Sequence, residues 1–105
     1  MTFNVRIARR AQRDIAALAD YLSTFSDELA LEHSTRLARV IAIHLAQSPF
    51  TWPYFPFTGA PYRGYLFRVG RRTQYWIVYT VDEDNRTVDI LRFWNAMRDP
   101  ETLDL

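Results

Sequence analysis

The sequence predicts an α+β fold in the order β-α-α-β-β-β, a helical hairpin packed on a small antiparallel sheet. Three observations carry this expectation. Apolar residues recur at three-and-four spacing through two consecutive stretches, about residues 9–25 and 27–47. Three β-rich stretches follow, separated by Gly70-Arg71-Arg72 and Glu83-Asp84-Asn85. A short alternating stretch, Phe3 to Ile7, precedes the helices.

The elements follow in order. Phe, Asn, Val, Arg and Ile at positions 3–7 have the period of a half-buried strand. From about Arg9 the period changes. Ala11, Ile15, Leu18, Leu22 and Phe25 mark one face of a helix, widened by Tyr21. Thr24 and Ser26 interrupt it. Ser26 is the expected N-cap of a second helix, with Asp27 and Glu28 in the first turn, where the helix dipole favours acids. Ala30, Ser34, Leu37, Ile41 and Leu45 mark its inner stripe, and Ser48-Pro49 ends it near Gln47. So short a link makes the two helices an antiparallel hairpin.

The segment from Phe50 to Tyr62 places Pro53, Pro56 and Pro61 among Trp52, Tyr54, Phe55, Phe57 and Tyr62. Proline at that density forbids a helix or a central strand. The segment reads as a loop whose aromatics cap the core edge or form a surface for a partner. Gly64 to Val69 is the next strand. Gln74 to Asp82 (QYWIVYTVD) is apolar on both faces in its middle, which places it centrally. Thr87 to Trp94 pairs back and runs into Arg98-Asp99-Pro100.

At 105 residues a single domain, 1–105, is expected, burying roughly two-thirds of its unfolded surface. Without cysteine there is no disulfide framework and no thiolate metal site. No apolar run approaches the roughly 20 residues of a membrane span, and MTFNVRIARR lacks the apolar stretch of a signal peptide. The expected location is therefore the cytoplasm, with no membrane contact.

All 13 basic side chains are arginine, against 12 acids. Arg6, Arg9, Arg10 and Arg13 form one cluster, and Arg63, Arg68, Arg71 and Arg72 another. Such clusters suit an acidic partner or nucleic acid, while the near-neutral total argues against strong non-specific DNA binding. His33 and His44, eleven residues apart on one helix, are too distant to share a metal and read as helix-side residues without a chemical role. Three glycines cannot build a phosphate loop, and no serine has a nucleophile-elbow context. Arg63, Arg68, Arg92 and Arg98 come from the sheet or its ends and can converge on one surface. There they would stabilise a phosphate only with a general base nearby. Tyr75, Tyr79 and Asn95 are the polar neighbours. Tyrosine is a poor base at neutral pH and asparagine is none, so binding is favoured over catalysis. The alternative for Arg68 and Arg92 is ion pairing with Asp82, Asp89 or the tail.

A set of features stands in a specific order: Ala11, Asp14-Ile15, Leu18 and Tyr21; then Leu45 and Ser48-Pro49; then Tyr62-Arg63 leading into Leu66-Phe67-Arg68-Val69-Gly70. Tyr75-Trp76-Ile77-Val78-Tyr79 follows, then Val88-Asp89-Ile90-Leu91-Arg92 and Arg98-Asp99-Pro100. Over nearly the whole chain this resembles the RelE/ParE superfamily of toxins from bacterial type II toxin–antitoxin pairs, often labelled plasmid-stabilisation proteins. The resemblance implies the same β-α-α-β-β-β fold.

RelE-like members cut messenger RNA on the ribosome, whereas ParE-like members inhibit DNA gyrase and lack the nuclease residues. Arg63, Arg68 and Arg98 match the basic positions of the nuclease pattern. Trp76 stands where that pattern has arginine, Asn95 stands where histidine is common, and neither tyrosine nor histidine follows Arg98. The resemblance therefore implies a ParE-like toxin without a cofactor or metal, acting on DNA gyrase. Its partner would be a ParD-like antitoxin whose acidic C-terminal segment lies across it. The alternatives are a nuclease acting on ribosome and mRNA, or a toxin fold that has lost activity. Candidate residues for antitoxin or target contact are Arg10, Arg13, Trp52, Tyr54, Phe55, Arg68, Arg71, Arg92, Asn95 and Arg98.

Overall fold

The computed structural model describes residues 2–55, 62–71, 73–99, 102, 103 and 105. Strand β1 (Asn4–Ile7) leads into helices α1 (Arg9–Ser23) and α2 (Asp27–Val40), and strands β2 (Arg63–Val69), β3 (Thr73–Asp82) and β4 (Thr87–Asn95) follow. The sheet order is β1-β4-β3-β2. The α+β expectation holds, with one correction: the sheet is mixed. β2, β3 and β4 are antiparallel neighbours, but β1 joins β4 in parallel, Asn4 opposite Thr87 and Ile7 opposite Ile90.

The helical hairpin forms where expected. Ser26 caps α2, its Oγ accepting from Leu29 N at 3.3 Å. The end of α2 differs from expectation. At Ile41–Leu45 the helix widens into a π-helical turn, and Ala46 N donates to Ile41 O at 2.9 Å. The wider turn brings both Leu45 and Ala46 inside. Ala46 O then accepts from Phe3 N at 2.7 Å and docks the start of β1.

The core lies between the hairpin and one face of the sheet. Ala11, Leu18, Leu22 and Leu37 meet Phe67, Ile77, Tyr79, Val88, Ile90 and Phe93. Two stripe assignments change. Ser34 is exposed and His33 takes the inward position beside it, edge-on to Phe67. Tyr21 and Phe25 extend the apolar stripe of α1 beyond the sheet; both are exposed and meet edge to face at 5.2 Å.

A bulge in β4 decides which side chains share a face. Val78 pairs with Arg92 but Tyr79 pairs with Ile90, so Leu91 is an extra residue. In a regular strand, residues 90 and 93 would point to opposite faces. The bulge lets Ile90 and Phe93 both enter the core. The opposite face carries Trp76 directly across from Trp94, with Phe55 edge-on to Trp76 at 5.3 Å.

The described ends of the aromatic loop are anchored. Gly64 N donates to Pro53 O, Phe55 N to Tyr62 O, and Tyr79 Oη to Pro49 O at 2.6 Å. Burial raises the Tyr79 pKa, so this hydroxyl stays a donor. The two sheet turns use left-handed backbone at Gly70 (φ 73°) and Arg86 (φ 52°). Asn85 donates to the Asp82 carboxylate from its backbone N (3.2 Å) and Nδ2 (2.7 Å), which lowers the Asp82 pKa.

Candidate functional site

A groove runs between the second half of α1 and the far end of the sheet. Its deeper part, about 430 Å³, has Leu18, Tyr21 and Leu22 on one wall, Leu29 at the hairpin turn, and Val69, Gly70 and Thr73 on the other wall. Tyr75 and Asn95 form the shared floor of this part and of a smaller hollow of about 200 Å³, which reaches Asp14, Phe93 and Arg98. The apolar periodicity of α1 outruns the sheet it packs on, and that excess forms the groove wall.

The polar groups at the floor are mutually engaged. Tyr75 stacks on Phe93 at 4.7 Å and shares a side-chain hydrogen bond with Asn95. Burial raises its pKa, and the Asn95 bond and the Arg98 charge oppose this only in part, so Tyr75 is a neutral phenol near pH 7. Asn95 Oδ1 accepts from Met97 N at 2.9 Å and Arg98 N donates to Asn95 O at 3.0 Å, which fixes the turn that delivers Arg98. The Arg98 guanidinium lies 4.4 Å from the Trp94 ring centre. Asp14 is clamped: Arg92 donates to it through Nε (2.7 Å) and Nη2 (3.1 Å), and Phe93 N donates at 3.0 Å.

The arginines expected on one surface do not all meet. Arg63 and Arg68 stand five residues apart on β2, about 17 Å along the strand. Arg63 donates to Trp52 O at 2.6 Å and lies over the Phe50 and Tyr54 rings, so it ties down the aromatic loop. Arg68 is exposed at the groove end of β2 and Arg71 in the turn beyond it. Arg92 pairs with Asp14, and Asp89 is taken by Arg6 at 2.7 Å, which corrects the pairing read from sequence.

Trp52 is half-buried and Phe55 is buried. Trp52 packs between Tyr65 (4.6 Å) and His44 (5.5 Å), and Phe55 is 2% exposed. Tyr54 remains exposed, while Phe57 and Arg72 lie outside the described residues. Arg10 and Arg13 are exposed on the first half of α1, away from the groove. The sequence reading of His33 as a helix-side residue is also corrected, because it is buried. Among the described residues no group of three His, Cys, Asp or Glu is placed to hold a metal, and no helix is long and apolar enough to cross a membrane.

The groove residues that sequence reasoning left out of the site include Asp14 and Leu29, while Tyr75 entered it only as a polar neighbour of the arginines.

No curated relative matches the sequence. Among solved structures, the chain is similar to one from the chromosomal ParDE toxin–antitoxin system of P. aeruginosa. The TM-score is 0.67 at 19% identity, covering 89% of this chain and 95% of that one. It is also similar to a chain of the RelBE2 toxin–antitoxin complex of Mycobacterium tuberculosis, with TM-score 0.54 at 21% identity, covering 90% and 99%. Both likenesses establish the fold. Residues 5–100 match the family described as ParE toxin of type II toxin-antitoxin system, parDE. The chain therefore belongs to the ParE toxin family, within the RelE/ParE superfamily, and is the toxin component of a type II toxin–antitoxin system.

Proposed function

We propose that this toxin acts by binding and not by cutting RNA, that its target is DNA gyrase in the cytoplasm, and that a cognate ParD-like antitoxin silences it from the groove. The observation that carries this reading is the chemistry of the groove floor. Asn95 is an amide, Tyr75 is a phenol held protonated, and the Asp14 carboxylate is already committed to Arg92 and Phe93 N. None is poised to accept a proton from a ribose hydroxyl near neutral pH. Trp76 points to the opposite face and packs on Phe55, so it supplies no phosphate ligand here. What the groove offers instead is exposed Tyr21 and Leu29, with Arg98 at its end. That is apolar anchoring with a cation at the rim, a match for an amphipathic acidic segment.

Expressing the chain alone tests the mode of action. Filamentation with a DNA-damage response, and loss of supercoiling by purified gyrase, is the expected outcome. Rapid translation arrest with cleaved messages would replace this reading with the nuclease one. Co-expression of the short reading frame beside this gene should restore growth.

A further inference from the structure

We propose that the smaller hollow of the groove is a subsite for a single carboxylate of the antitoxin segment, with the Tyr75 hydroxyl and the Arg98 guanidinium as its two donors and Asn95 as a positioning residue. This assignment rests on the antitoxin seating in the groove. The hollow, about 200 Å³, takes its polar lining from Asp14, Tyr21, Tyr75, Asn95 and Arg98.

The direction of one hydrogen bond sets the donor at the floor. Asn95 Oδ1 accepts from Met97 N at 2.9 Å, so the oxygen end of this amide is turned toward the chain. The bond that Asn95 shares with Tyr75 lowers the Tyr75 pKa, the effect of a donor on a phenol oxygen. Nδ2 therefore donates to Tyr75 Oη. The phenol keeps its own proton, because burial outweighs that bond, and the proton meets no acceptor among the described residues. Arg98 supplies the second donor. Its guanidinium lies 4.4 Å from the Trp94 ring centre, and its side-chain N–H groups meet no carboxylate or carbonyl among the described residues. Asp14, the acid of this hollow, is already balanced by Arg92.

The ligand follows from that inventory. One positive charge and two donors call for a group that is negative and accepts without donating. A carboxylate has two oxygens, one for each donor. A phosphate would bring further oxygens against Ala17, Leu18 and Phe93, which offer no side-chain donor. The carrier is set by what adjoins the hollow. From the same floor of Tyr75 and Asn95 the groove continues between Leu22, Leu29 and Val69. The carboxylate therefore sits at one end of an otherwise apolar stretch of peptide.

The test is titration calorimetry of the intact chain with the purified antitoxin encoded beside it. Tyr75→Phe keeps the ring stack on Phe93 and removes only the hydroxyl. Tyr75→Phe and Arg98→Gln should each weaken binding about tenfold. Each antitoxin acid is then replaced in turn by its amide, and the antitoxin C-terminus is amidated in a further variant. Both losses should vanish against one of these variants, which names a side-chain or a terminal carboxylate as the source. Parent-like affinity of Tyr75→Phe and Arg98→Gln overturns the subsite, as do losses that persist against every antitoxin variant. In a direct probe, glutarate should shift the Asn95 side-chain amide resonance more than inorganic phosphate at equal ionic strength; the reverse order overturns the choice of carboxylate. Replacing Tyr21 and Leu29 together by Ser reads the groove itself. Weakened binding in that variant, with parent-like binding of Tyr75→Phe and Arg98→Gln, removes the subsite and leaves the groove reading standing. Unchanged binding in that variant removes both.

Discussion

Asp14 on α1 completes the edge of β4 through a two-pronged ion pair with Arg92. Its carboxylate accepts from Arg92 Nε and Nη2 at 2.7 and 3.1 Å and from Phe93 N at 3.0 Å. β1 covers β4 only as far as Ile90, so the next backbone donor on that edge needs another acceptor. One side chain thus stands in for a missing strand and fastens α1 to the sheet. Arg92 in turn lies over Trp94, as does Arg98 at the groove.

Asp14→Ala should be the most destabilising single change at this junction. It removes the two-pronged carboxylate partner of a largely buried guanidinium and the acceptor of the Phe93 amide, a loss of about 2–4 kcal/mol. Asp14→Asn keeps an acceptor for Phe93 N and should cost less. Urea unfolding of both variants checks this. Equal losses would show that the amide bond contributes nothing.

Gly64 owes its identity to a close approach. A Cβ there would stand 2.9 Å from Trp76 Cε3 and 3.1 Å from Phe55 Cδ1. Neither ring can withdraw, because Phe55 is buried and Trp76 lies opposite Trp94. Gly64→Ala should cost about 1–3 kcal/mol through overpacking, with a changed tryptophan emission spectrum. A variant as stable as the parent would show that the loop yields freely.

His33 should make the fold sensitive to mild acid. It is 3% exposed, and neither ring nitrogen has a hydrogen-bond partner among the described residues. Phe67 and Phe93 face it from the sheet, and the nearby charge is Arg36 on its own helix. Burial first, then Arg36, lowers its pKa from the ordinary 6.5. The unfolded chain therefore binds the extra proton first. Stability is full above about pH 6.5 and falls as pH drops below it, by at most about 1.4 kcal/mol per pH unit. Asp82, whose pKa is lowered, contributes its loss only in more acid solution. Urea unfolding between about pH 7.5 and pH 5 should show this slope, and His33→Leu should flatten it. A flat profile in the parent chain would contradict the assignment.

Tyr21 and Phe25 are 60% and 68% exposed, so their loss should barely affect folding. Replacing both by Ser should change stability by less than about 1 kcal/mol. If the antitoxin seats in the groove, its affinity should fall at least tenfold, about 1.4 kcal/mol or more. Thermal unfolding and titration calorimetry with the purified antitoxin separate the two effects. Undiminished affinity would place the antitoxin elsewhere.

Much of the fold is legible in local pattern. The periods of 2 and 3.6 mark the strands and helices, Ser26 with its acids marks the hairpin turn, and Gly70 marks the left-handed bend between β2 and β3. Asn95 and Arg98 were legible as the close of the last strand, in the order that the superfamily resemblance reads. The exposure of Tyr21 and the burial of Phe55 were not, since aromatic side chains look alike in sequence whether they wall a groove or fill a core.

The sequence by itself determined the element order, the hairpin and the family. Only the tertiary structure decided which arginines share a surface. A one-residue bulge at Leu91 turns Arg92 toward Asp14, and strand length separates Arg63 from Arg68. Periodicity reports which face of its own element a residue occupies. It carries no information on what the neighbouring element brings to that face, and here that pairing divides the arginines among anchoring the loop, holding α1 and lining the groove.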